Sequence, residues 1–199
     1  MISSAREGRG FFQERLPDGS LSWTLTSAFG QFLSEAEELF GQRDKSWTPL
    51  GVEIHDGIPD VWFPGSYDNA QTKHISIRVS DHCLKDARQG MFQVAHEVIH
   101  VLSPLINKNA NVLEEGIATW FADHISFKYN LIYTMDVKSY IDAKNLVSPI
   151  IKHDPKAILN IRNECSDFYS VTPDVIRRFA PQVSRPDAEA LCETFKRDA

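Results

Sequence analysis

From Leu84 to Leu102 the apolar residues keep a helical rhythm. Leu84, Ala87, Met91, Val94, Ala95, Val98, Val101 and Leu102 recur every three to four positions, and Pro104 closes the run. Just upstream the rhythm is different. In residues 73–79, Ile75, Ile77 and Val79 alternate with Ser76 and Arg78, which predicts a strand with one apolar face and one wet face. The change of period at Ser80 makes this an α+β chain, with a small mixed sheet early and helices after it.

Shorter runs supply the rest of the organisation. Val52-Glu53-Ile54-His55 and Val61-Trp62-Phe63 are strand-like and are bounded by Gly57, Pro59, Pro64 and Gly65. Before them come a turn at Pro17-Asp18-Gly19 and an amphipathic helix marked by Phe29, Phe32, Leu33, Ala36, Leu39 and Phe40, with Gly41 as its stop. A further helix should start near Asn111 and run to about Lys128. Shorter helices follow at about 135–146, 149–160, 172–180 and 186–197, with Pro149, Pro155, Pro173 and Pro186 suited to their first turns. With 199 residues, 42% of them hydrophobic, the chain can bury a sizeable core. It reads as one domain over 1–199: a mixed part to about 80, two central helices over about 81–128, and a helical C-terminal part over about 129–199.

Charge and composition exclude several classes. A net charge of −6 with no basic run gives no footprint for a phosphate backbone or an anionic membrane. No stretch of eighteen apolar residues offers a membrane span. The first residues hold no apolar block of the kind a cleavable secretory signal needs, so a cytoplasmic location is expected, with export independent of such a signal as the alternative. Cys83, Cys165 and Cys192 are too widely spaced for a C-x-x-C site or a disulfide framework and read as three reduced thiols.

The chemistry lies in His96-Glu97-Val98-Ile99-His100. Positions i and i+4 share one helix face, so both imidazoles can aim at a single point. Two imidazoles at this spacing suit a tetrahedral zinc ion, and Glu97 is placed to reach a water on the metal instead of the metal itself. Among or beside the apolar positions of this helix, two unpaired imidazoles would be costly to bury. A catalytic zinc ion takes three protein ligands and leaves one position open. The next helix offers Glu114 and Glu115 at its start. With Asn111 as N-cap, Glu114 completes a capping box with the Asn111 backbone amide. Glu115 then points about 100° away and is free to reach the metal, with Glu114 as the second choice of ligand. Gly116 is costly inside a helix and signals close approach of another backbone, as two helices packing around an ion would require.

These residues carry a family resemblance. His96-Glu97-Val98-Ile99-His100 followed by Glu115-Gly116-Ile117-Ala118 resembles the gluzincin metallopeptidases, over roughly Met91 to Phe121. The resemblance implies a zincin-like fold and one zinc ion per chain, held by His96, His100 and Glu115. It also implies that Glu97 is the general base for hydrolysis of a peptide or protein substrate. It further likens residues 73–79 to the edge strand along which such enzymes hold an extended peptide. The fourteen residues between the second histidine and Glu115, 101–114, are fewer than in larger gluzincins. The Gly-x-Met-x-Asn element of the aminopeptidases is absent. Bacterial repressor-cleaving metallopeptidases are a second comparison, with a poorer fit over Glu115 to Ala122.

Tyr129, Tyr133, Tyr140, His153 and Tyr169 are available to stabilise an oxyanion; Tyr169 is the choice because it lies well beyond the third ligand. Thr119 and Asp123 are candidates for holding the metal-bound imidazoles in place. The four tryptophans, Trp23, Trp47, Trp62 and Trp120, are assigned to the core, and the remaining histidines to non-ligand roles. The alternatives to a peptidase are a non-peptidase zinc hydrolase and a binding or regulatory protein with a structural or vestigial zinc site.

Overall fold

Alternation over residues 73–79 produces a strand, but its two neighbours decide what the strand does. In the computed structural model, which describes residues 13–15, 19, 21–65, 73–106 and 109–198, β1 (Thr48–His55), β2 (Asp60–Trp62) and β3 (His74–Ser80) form a sheet ordered β1-β3-β2. β3 runs parallel to β1 and antiparallel to β2. It is therefore the central strand, not the edge strand expected from the resemblance. Its second face is not simply wet either. Ser76 is buried and donates to the Gly51 carbonyl of the neighbouring β1. β2 is one of the two edges of the sheet. There Asp60, paired in register with Arg78, binds that guanidinium through two hydrogen bonds of 2.8 and 2.5 Å.

α1 (Leu25–Phe40) follows from its apolar spacing, from a capping box between Thr24 and Ser27, and from Gly41 at φ 93°, a left-handed turn that favours glycine. The long helix differs slightly from its expected form. Asp81–Leu84 is a separate 3₁₀ turn that leaves Leu84 exposed, and α2 (Ala87–Leu102) starts afresh with Asp86 as N-cap. α3 (Val112–Lys128) starts as expected, with Asn111 Oδ1 accepting from the Glu114 amide at 2.9 Å.

The expected break near Pro149 does not occur. α4 (Lys138–His153) runs straight through that proline, because Ala143, Val147, Ile150 and Ile151 continue one buried face on both sides of it. α5 (Ala157–Cys165) follows Pro155, while Pro173 and Pro186 do occupy first turns, in α6 (Pro173–Phe179) and α7 (Arg185–Cys192). α7 ends earlier than expected, and the chain leaves it as an extended tail. Of the expected turn at Pro17-Asp18-Gly19, only Gly19 lies among the described residues.

The architecture is thus seven α-helices and a three-stranded mixed sheet among the described residues. One buried cluster joins α1, β3 and α2 to α3, α4 and α5. Arg162 of α5 ties three segments together. Its guanidinium donates to the carbonyls of Phe40, Gln42 and Leu102 and to Ser103 Oγ, at the ends of α1 and α2. Among the described residues no helix is long and apolar enough to cross a membrane.

Candidate metal centre

α2 carries His96 and His100 one turn apart, and the first turn of α3 faces them. The three expected ligands come together. His96 Nε2 lies 3.0 Å from Glu115 Oε2, and His100 Nε2 lies 3.8 Å from Glu115 Oε1. All three ligand atoms fall within 4.8 Å of one another. Donors held about 2.0–2.2 Å from a tetrahedral ion stand roughly 3.3–3.6 Å apart, so the observed spacings bracket what a zinc ion requires.

Glu114 takes a different job from the one its position suggests. Its backbone amide is capped by Asn111, but its carboxylate does not turn back to complete the box. It accepts a 2.8 Å hydrogen bond from His100 Nδ1 instead. That bond fixes the ring and leaves Nε2 directed at Glu115, the arrangement that orients a metal-binding imidazole. The residues expected to do this lie elsewhere. Thr119 donates to the Glu115 backbone carbonyl, and Asp123 pairs with Lys144. His96 Nδ1 is buried and has no hydrogen-bond partner. Gly116 does meet another backbone closely, but it is that of α4: a Cβ there would lie 2.5 Å from the Ala143 carbonyl oxygen.

The electrostatics of the cluster favour a cation. Burial opposes charge on His100, yet Glu115 and Glu114 outweigh it and push the imidazole up to about 10. Burial likewise opposes charge on Glu115, but His100 and His96 hold its carboxyl below the usual range. A divalent ion replaces such a proton, since metal binding exchanges ligand protons for the ion. Glu97 is buried beside the pair, and burial pushes its carboxyl up to about 7. His96 and His100 resist that rise, while Glu115 and Asp60 add to it.

The four groups open onto a cleft of about 1080 Å³. Its walls are β2 with its approach from Ile58, the loop around Leu105 and Ala110, and a patch of Tyr140, Phe195 and Arg197. Tyr140 packs its ring edge-on against His96, with centroids 5.3 Å apart. Tyr169, the residue preferred from sequence, is partly exposed outside this lining. Tyr129 and Tyr133 are engaged away from it, with Glu35 and Gln89. Trp62 also lines the cleft, beneath Arg78, and so is not a core tryptophan. Asp60, Phe195 and Arg197 carry no sequence signal that would have placed them here.

No protein-family model matches the chain, and no solved structure does. Protein STU1 from Debaryomyces hansenii is similar over 106 residues at 28% identity, covering 52% of this chain and 7% of that protein. The chain thus spans less than a tenth of that relative's length, and a functional reading rests on the site itself.

Proposed function

We propose that the chain is a zinc-dependent metallopeptidase of gluzincin type, with His96, His100 and Glu115 as ligands and Glu97 as general base. The observation that carries this reading is the convergence of two imidazole Nε2 atoms on the Glu115 carboxylate, with Glu97 buried beside them in the same cleft. A zinc ion at such a site supplies Lewis acidity and makes water nucleophilic near neutral pH.

The protein's own groups do the rest. Glu97, pushed up to about 7, is suited both to taking a proton from the attacking water and to returning it to the leaving amine. Glu114 keeps the His100 ring in place. Burial, with Glu115 adding to it, pushes the Tyr140 phenol up, so it stays protonated and is the hydrogen-bond donor we assign to the oxyanion. The edge of β2 takes the extended substrate by backbone pairing, the part the resemblance gave to residues 73–79. This edge strand beside the metal helix also supports a zincin-like fold.

Two features favour catalysis over a structural zinc. Structural sites are closed by four protein ligands, whereas the described residues group only three. A structural site also has no use for Glu97. Purified protein should carry about one zinc per chain and cleave casein, with cleavage lost on chelation and restored by zinc. Full zinc content in a His96→Ala protein would overturn the assignment.

A further inference from the structure

Beyond α7 the chain is pinned to two helix starts. Glu193 O accepts from the Val112 amide at 2.9 Å, Phe195 N donates to the Ala110 carbonyl at 2.9 Å, and Asp198 N donates to Ser139 Oγ at 3.1 Å. Thr194 forms a β-bridge with Asn111 between the first two of these bonds. In extended chain alternate side chains share a face, and here Phe195 and Arg197 both line the cleft. The Phe195 ring packs against Tyr140 with centroids 4.9 Å apart, and the Arg197 guanidinium lies over the same Tyr140 ring at 5.9 Å. Tyr140 in turn touches His96. The tail therefore builds an aromatic shelf that begins at a metal ligand and ends at a guanidinium.

The two arginines of the cleft differ in their engagement. Arg78 is held by both oxygens of Asp60. Arg197 makes no hydrogen bond or ion pair among the described residues, so its planar fork is open to a ligand. A guanidinium in this state is matched in shape and charge to a carboxylate. The nearby acid, Glu115, is already engaged with His96.

On the basis of the peptidase reading above, we infer that Arg197, seated on the Tyr140–Phe195 shelf, is a subsite for a substrate carboxylate. The substrates are then peptides that carry an acidic side chain, or their own free C-terminus, close to the bond that is cut. The shelf adds apolar contact for the atoms leading to that carboxylate, and the guanidinium fixes its end.

The test is capture of random octapeptides, half amidated and half free at the C-terminus, on zinc-loaded Glu97→Gln protein, repeated with Arg197→Gln and Arg197→Glu added. Enrichment of Asp and Glu over Asn and Gln reports a side-chain carboxylate; enrichment of free over amidated peptides reports the C-terminus. Either preference should reach about tenfold, the scale of a charge-assisted hydrogen bond, and fall to about one in both Arg197 variants. No carboxylate preference, or one that survives Arg197 replacement, overturns the proposal. Casein cleavage by the unaltered protein without carboxylate capture removes this subsite and leaves the peptidase reading standing. Arg197-dependent capture by a protein that cleaves nothing does the reverse.

Discussion

Glu114 and Glu115 are neighbours in sequence and would divide the work of the proposed metal centre by the 100° step between helical residues. Glu115 meets both imidazoles across the cleft, and Glu114 holds His100 by Nδ1. Glu115→Ala should abolish stable zinc binding, because two protein ligands remain. Glu114→Ala should weaken zinc by about 10–100-fold and no further, while Glu114→Gln, whose amide oxygen still accepts from Nδ1–H, should lose less. Competition with a chromophoric chelator measures all three; a Glu114→Ala defect as deep as that of Glu115→Ala would exchange their roles. The pairing of His96 with His100 was legible because helix geometry fixes what lies four residues away. The job of Glu114 was not legible. A capping box and an imidazole partner ask for the same residue at the same position, and only the separation of α2 from α3 decides between them. Tyr140 was hidden for the same reason, since five aromatic residues compete until tertiary packing brings one against His96.

At the scale of elements, periodicity told which face of each segment is buried but not which neighbour buries it. The alternation of residues 73–79 gave a strand, while the order β1-β3-β2 that makes it central depends on pairings between distant segments. The C-terminal helix boundaries failed in a related way. Pro149 marks a helix start by local preference, yet the apolar face of α4 extends across it and prevails. Gly116 did signal a close approach, and the structure assigns that approach to α4. An alanine there would place its Cβ 2.5 Å from the Ala143 carbonyl oxygen and 2.6 Å from Val147 Cγ2. Gly116→Ala should therefore destabilise the fold by about 1–3 kcal/mol, despite the better helix propensity of alanine. Urea denaturation reads this directly, and a stabilised variant would contradict the tight α3–α4 contact.

At the scale of the molecule, the cleft depends on α2 being held by elements far away in sequence. Arg162 donates to the Phe40 and Leu102 carbonyls at the ends of α1 and α2 and to Ser103 Oγ, with the Leu102 carbonyl also accepting from the Asp44 amide. Arg162→Ala should cost about 3 kcal/mol or more, since each buried group left unsatisfied costs about 1–3 kcal/mol. A change below 1 kcal/mol in thermal or urea unfolding would show that water replaces the guanidinium. In the proposed site α2 would supply two ligands and, between them, a base that does not touch the ion. Zinc content and cleavage rate measured on one preparation of Glu97→Gln test it most directly. About one zinc per chain is expected, as in the unaltered protein, with cleavage reduced by at least about 10²–10⁴-fold, the usual worth of a general base. Zinc retained with near-normal cleavage would mean that another group is the base, and zinc lost would mean that Glu97 is itself a ligand.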